Sequence, residues 1–253
     1  MSVIYTASSR LYEEAYRQLA VTHRNAFVDF VSEEEAGGFR PSLLSLLNQR
    51  VADVRLFLVD DIVFTESVNI QLMAKLSQVG FIPSLRLGRN LKRSYTLQRS
   101  QRLPPLRPVI LATQSQLDDG ELPLNLWSWT WRSGSLDWRY PLSVDGNVFV
   151  ASEIDQMIRD VDFEAPNTLE DALQVHVSKF MGRWGVCYEK SRLVNIPMNR
   201  VQTLIPNLHG EVHQDELLQM WLKGFRLDTE SLHGYRNVSA HEEPPLLFTA
   251  GPR

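Results

Sequence analysis

Arg55-Leu56-Phe57-Leu58-Val59-Asp60-Asp61-Ile62-Val63-Phe64 is the stretch on which the reading of this chain turns. Residues 55–59 read as a short strand that ends abruptly in two adjacent carboxylates. A helix is expected after it, with Thr65 as cap, Val68, Leu72, Leu76 and Val79 on one face, and Gly80 as stop. Upstream, Ser8 or Ser9 can cap a helix carrying Leu11, Tyr12, Ala15 and Leu19. Residues 26–31 read as a strand and 33–38 as a loop, and Pro41-Ser42 opens a second helix with Leu43, Leu44, Leu46 and Leu47. Helices alternating with strands predict an α/β sheet, in which ligands sit beyond the carboxyl ends of strands. Asp60-Asp61 falls at such an end.

Adjacent carboxylates repel each other unless a cation or hydrogen bonds offset the charge. Oxygen ligands suit Mg²⁺ or Mn²⁺, which would bridge to a substrate diphosphate. The alternative is a solvated turn, since Asp after an apolar strand is common in α/β folds.

Downstream the composition changes. Residues 67–117 hold no Asp or Glu, yet Arg86, Arg89, Lys92, Arg93, Arg99, Arg102 and Arg107 fall there. Arg matches phosphate bidentately. For Arg99, Arg102 and Arg107 a solvated face or basic loop is expected instead, while Arg86 and Arg89, bracketing Gly88, stand closer to a ligand position. Residues 109–113 read as a strand, and Asp118-Asp119-Gly120 as a turn. Trp127, Trp129 and Trp131 alternate with Ser128 and Thr130, a strand with one aromatic face. That face can be a sugar or base platform, but core packing is the expected role. Helices follow at 152–161, 167–177 and 215–223. Asp145-Gly146-Asn147 places a carboxylate and an amide around a glycine, and a tight turn alone would also explain it. In Pro166-Asn167-Thr168-Leu169-Glu170 a capping box is expected, with Asn167 as cap and Glu170 returning to its backbone N–H. That structural role competes with a catalytic one for Glu170.

Bulk properties bound the function. The chain has 253 residues, 43% apolar and 22% charged, an ordinary globular balance. A net charge of −4 argues against a general nucleic-acid or anionic-membrane binder. Cys187 is the only cysteine, which fits a reducing cytoplasm. The start, MSVIYTASSRLYEEAY, lacks a signal-peptide pattern, and no apolar run approaches the roughly 18–20 residues a bilayer needs. The GxxxxGK[ST], GxGxxG and GxSxG signatures are missing. His209 and His213 have metal-ligand spacing, but Gly210 stands where a zinc protease helix needs Glu, so the pair reads as loop and helix start. Asn237-Val238-Ser239 matches a glycosylation sequon, without meaning in a bacterial cytoplasm.

In segment order the chain resembles the GT-A glycosyltransferases, through FLVDDIVF, YPLSVDGNVFVASEI, FEAPNTLEDAL and NVSAHEE. Within them it is similar to a small majastridin-like bacterial group, through SLRLGRN, YPLSVDGNVF, PNTLE and NIPMNRVQ, from Phe39 onward. The metal motif here is VDD rather than DxD. The resemblance implies one GT-A-like domain over 1–253, with a Rossmann-like, nucleotide-binding mixed sheet flanked by helices. Residues 1–115 would form the nucleotide and metal half, and 116–253 the sugar and acceptor half with a metal-ligand tail. Asp61 and His241 would bind Mn²⁺ or Mg²⁺, and Asp60 would reach the donor ribose or a metal-bound water. Arg86 and Asn90 would hold donor groups, while Asp145, Asn147 and Glu170 would face the transferred sugar or acceptor, with Asp145 and Glu170 as the catalytic pair. The implied activity is transfer from a nucleotide sugar, a UDP-sugar, to an unidentified acceptor, with no nucleic-acid partner. A nucleotide-sugar hydrolase and a nucleotide-sugar-binding protein without turnover are the rival readings.

Overall fold

A computed structural model describes residues 1–110, 125–198 and 213–251. It opens with a βαβ unit: β1 (Ser2–Tyr5), α1 (Arg10–Thr22) and β2 (Asp29–Ser32), with β1 and β2 parallel from Ser2↔Asp29 to Tyr5↔Ser32. Ser9 occupies the N-cap of α1, in extended backbone. After the short α2 (Glu33–Ala36), Gly37 and Gly38 turn the chain at φ +82° and +119° into α3 (Phe39–Gln49). Such angles are open to glycine and strained for other residues.

The decisive stretch then folds as two strands, β3 (Val54–Leu56) and β4 (Ile62–Phe64), with Asp60-Asp61 in the turn between them. The expected strand over 55–59 is thus shorter. Phe57 gives its carbonyl to the N–H of Gly146 at 3.0 Å instead of continuing a ladder. The following helix, α4 (Ile70–Gln78), starts later than expected because β4 intervenes. Asn69 caps it, accepting the Leu72 N–H at 2.9 Å, whereas Thr65 is buried under the strand pair and caps nothing.

The remaining elements are β5 (Ile82–Gly88), a ribbon of β6 (Arg93–Ser94) and β7 (Arg99–Ser100), β8 (Arg107–Pro108), β9 (Leu126–Thr130), β10 (Val148–Val150), α5 (Ala151–Arg159), α6 (Pro166–Leu173), β11 (Trp184–Tyr188), β12 (Leu193–Asn195), α7 (Gln214–Leu222), β13 (Phe225–Leu227) and β14 (Phe248–Ala250). The three late helices lie where the sequence places them, within a few residues. The expected strand at 109–113 and the turn at 118–120 fall largely or wholly outside the described residues, as does His209.

The architecture is mixed α/β, as expected, but the sheet is divided. The largest sheet has the order β5-β11-β9-β8, with β11 parallel to β5 and antiparallel to β9. The other described strands form two-stranded pieces, among them β10-β3 and β12-β4. Strands of two to five residues, apart from the seven of β5, leave each ladder after a few bonds. Single contacts stitch the pieces together: a Ser84↔Asn147 bridge, Leu85 N–H to Gly146 O at 2.8 Å, and Arg192 N–H to Leu85 O at 2.8 Å.

Two apolar layers clamp the four-stranded sheet. On one face Trp129 meets Trp131 and Trp138 edge to face, each at 4.8 Å, with Ile154, Ile158, Leu169 and Leu173 from α5 and α6 in the same cluster. Gly185 lies beneath Trp129, where a Cβ would stand 2.5 Å from the ring. On the other face α4 sets Leu72, Met73 and Leu76 against Leu85, Val186 and Tyr188. Two of the three tryptophans of the β9 stretch are therefore core. Trp127 is half-buried, and the Arg89 guanidinium stacks on it at 4.2 Å. Among the described residues no helix is long and apolar enough to cross a membrane.

Candidate functional site

β5, the 137–147 loop, α6, the Asp60-Asp61 turn and the segment after Ser239 converge beside the end of β12. Arg86, in the buried middle of β5, is the hub. It is 6% exposed, and its Nη1 donates to Ser143 Oγ at 2.7 Å. Its Nη2 reaches Asp137 Oδ1 at 3.4 Å, and Asp145 Oδ2 lies 3.5 Å from Nη1. Burial works against its charge, but Asp145, Asp137 and Glu170 outweigh that and hold its pKa above the ordinary value.

Gly146 brings Asp145 this close. Its φ is +84°, and a Cβ there would meet Leu193 Cδ2 at 3.0 Å and Arg86 Cβ at 3.6 Å. Both oxygens of Asp145 are buried without a hydrogen-bond partner, though Arg86 and His241 Nε2, at 3.6 Å from Oδ2, stand nearby. A carboxylate so placed has unused lone pairs, which is costly unless a cation or donor arrives.

Glu170 is not a helix cap. Pro166 takes the first position of α6, and Thr168 Oγ1 closes the end by accepting the N–H of Ala165 at 2.9 Å and of Glu164 at 3.0 Å. That corrects the expected Asn167–Glu170 capping box. Glu170 instead turns to the site loop, where Oε2 accepts Val144 N–H at 2.8 Å and Ser143 O–H at 3.2 Å. Burial raises its pKa; Arg86, the Val144 N–H and the Tyr140 hydroxyl oppose that rise.

Asp61 and His241, 180 residues apart in sequence, are tied through one residue. Asn195 Nδ2 donates to Asp61 Oδ1 at 2.8 Å, its own N–H donates to Ala240 O at 3.0 Å, and it forms a parallel bridge with His241. Burial, then the charges of Asp60 and Asp145, push the Asp61 carboxyl up to about 7. Burial and the Arg86 charge lower the His241 pKa, so the imidazole is neutral at neutral pH and keeps a lone pair.

Asp60 is exposed on the outer side of the same turn. Burial, with the charges of Asp60, Tyr5 and Glu33 added, raises Tyr16 on α1 to about 12, which puts Asp60 near the βαβ unit. Beyond the carboxyl ends of β1 and β2 lies a shallow hollow of about 300 Å³, lined by Thr6, Glu33, Glu34, Gly37 and Gly38.

The two amides differ. Asn147 is 1% exposed, its Nδ2 held by Pro141 O at 3.0 Å and its Oδ1 left without a partner. Asn90 stands apart from the cluster. Its Nδ2 donates to Asn237 O at 2.7 Å and its Oδ1 accepts Ser191 N–H at 2.9 Å, so it anchors the segment that carries His241. Asn237 is buried in that anchor, which leaves the sequon closed. Sequence reasoning missed Asp137, Tyr140, Ser143 and Asn195. Tyr140, Ser143 and Asn195 lay inside the resembling stretches YPLSVDGNVF and NIPMNRVQ, where only Asp145 and Asn147 drew notice.

Asp61 and Asp145 carry carboxylate oxygens of the kind hard divalent cations take, and the neutral imidazole of His241 lies 3.6 Å from Asp145 Oδ2. Among the described residues no three His, Cys, Asp or Glu side chains are grouped to hold a metal by themselves. Water and substrate phosphate would complete the shell, as is usual for Mg²⁺.

No protein-family model, no curated protein and no solved structure matches this chain.

Proposed function

We propose that the chain is a metal-dependent glycosyltransferase of GT-A-like organisation, using a nucleotide-sugar donor, a UDP-sugar. What carries the reading is Asp145: a buried carboxylate neither of whose oxygens has a hydrogen bond, ion-paired to Arg86 at 3.5 Å and 3.6 Å from the neutral ring of His241. Asp61, whose carboxyl gives up its proton only near neutrality, adds a second oxygen donor to the same place. With water and substrate phosphate completing the shell, Asp61, Asp145 and His241 would hold Mn²⁺ or Mg²⁺, which would supply positive charge against a departing diphosphate. Asp60 lies close enough to Tyr16 on α1 for its charge to be felt there, which puts it near the βαβ unit, where α/β folds take nucleotides. Arg86 keeps its charge in a buried setting and so stabilises negative charge without reorganising. Glu170, with a raised pKa and a fixed place beside Ser143, suits proton uptake from an acceptor hydroxyl.

Product analysis with a panel of UDP-sugars and Mn²⁺ tests the reading. Nucleotide release that depends on a hydroxyl acceptor is the expected outcome. Free sugar without any acceptor would make the protein a hydrolase, and nucleotide-sugar affinity without turnover a binding protein. Neither affinity nor turnover would refute the assignment.

A further inference from the structure

We propose that the β6–β7 ribbon and its flanks dock the protein on an anionic lipid surface. The ribbon follows β5 in the chain, with Ser94 and Gln101 turned into the protein. Lys92, Arg93, Arg99 and Arg102 are exposed on it, with Arg236 exposed on the neighbouring segment. Among the described residues none of these five cations is paired with a carboxylate, in a protein whose net charge is −4. The acids closest to them are already engaged: Glu243 accepts the Tyr95 hydroxyl, while Glu242 accepts the Val238 N–H at 2.6 Å and the Tyr235 hydroxyl at 2.7 Å. Those donors are neutral, so both carboxylates keep their charge, and five cations stand against two acids in a region that is net basic within a negative protein.

Large apolar side chains stand exposed among the cations. Leu97, in the turn closed by Gln98 N–H to Tyr95 O, is 56% exposed, Leu103 38% and Val238 47%. Basic groups interleaved with exposed leucine and valine match an anionic headgroup layer with acyl chains beneath it. The charged backbone of a phosphodiester polymer offers those aliphatic chains no partner, whereas acyl chains do. A lipid surface is the better match.

The ribbon is also fixed to the candidate site. Val238 O accepts the N–H groups of Lys92 at 2.8 Å and Arg93 at 3.1 Å, and Ser239 Oγ accepts the Tyr95 N–H at 2.9 Å. Ser239 lies two residues before His241. Docking would hold that edge of the site at the membrane, so a membrane-borne acceptor follows, a consequence that rests on the transferase reading.

Co-sedimentation with vesicles tests the docking without any nucleotide. Binding is expected to phosphatidylcholine vesicles containing phosphatidylglycerol, and not to phosphatidylcholine alone. Each cation near such a surface contributes roughly fivefold, so Arg93→Ala/Arg99→Ala/Arg102→Ala should weaken partition roughly 100-fold. Leu97→Ser should weaken it roughly tenfold by removing buried apolar area. About 1 M salt, where screening acts within about 3 Å, should release most of the protein. These exposed changes should leave the melting temperature in place, which separates lost docking from lost folding. No partition by the wild type at low salt, an unaffected triple variant, or tighter binding to single-stranded RNA than to vesicles would overturn the proposal. Vesicle binding with no UDP affinity would sink the transferase reading alone, and the reverse result would sink docking alone.

Discussion

Asp61→Asn should make the metal-free protein more stable at pH 8. In the wild type, burial and the charges of Asp60 and Asp145 lift this carboxyl from 3.8 to about 7. At ~1.36 kcal/mol per tenfold, holding it ionised costs about 4 kcal/mol relative to the unfolded chain. Solvent still touches the residue and screens part of the repulsion, so a gain of about 2 kcal/mol is expected, or roughly 4–8 °C in melting temperature for a chain of this size. Asn keeps the Oδ1 acceptor that Asn195 Nδ2 uses at 2.8 Å, so no hydrogen bond is lost. The sign follows from linkage. A carboxyl with a raised folded pKa stabilises the fold fully below its unfolded value, and that contribution is lost as pH rises toward about 7. The variant's advantage should therefore be absent near pH 4 and complete above pH 7. Urea or thermal unfolding in chelator across that range measures it. Excess Mn²⁺ should then stabilise the wild type and leave the variant unmoved. A variant that is less stable at pH 8, or a gap that ignores pH, would refute the reasoning.

Glu170→Gln retains an acceptor for the Val144 N–H but removes a charge facing Arg86; turnover should fall at least ~100-fold with a stability loss of only about 1–2 kcal/mol, read by steady-state rates beside thermal melts. Retained turnover would leave Glu170 a loop anchor. His241→Ala should weaken Mn²⁺-dependent UDP binding roughly tenfold or more while moving the ligand-free melting temperature little, and calorimetry with melting curves separates the two effects. In the wild type that binding should strengthen as pH rises from 6 to 8, because Asp61 loses its proton near 7 and His241 is already neutral.

Which of the candidate residues lie near one another was partly legible in the sequence. Asp61 and Arg86 stood out from the residues themselves, and Asp145, Glu170 and His241 entered through the resemblance; the structure brings the five near one another. What the sequence hid was the connection. Asn195 joins Asp61 to His241 through backbone and amide contacts that leave no periodicity. Glu170 was misread locally because Asn167 and Glu170 have the spacing of a capping box; Pro166, one position earlier, sets the helix start and gives the cap to Thr168. Thr65 was misplaced for a similar reason: Ile62–Phe64 is too short to declare itself a strand, so the turn seemed to lead straight into a helix. The α/β class followed from alternating elements, but not the division of the sheet, since short strands joined by single bridges read the same as a continuous sheet. Period-2 spacing placed Trp127, Trp129 and Trp131 on one face without saying that only the first reaches solvent.

The central claim is that a divalent cation at Asp61 and Asp145 joins the protein to a nucleoside diphosphate. Titration calorimetry of UDP into the wild type and into Asp145→Asn, each with Mn²⁺ and with chelator, tests it most directly. Binding is expected only for the wild type with Mn²⁺, with at least a tenfold loss in the other three arms. Equal affinity with Mn²⁺ and in chelator, or an Asp145→Asn protein that binds as the wild type does, would contradict the account.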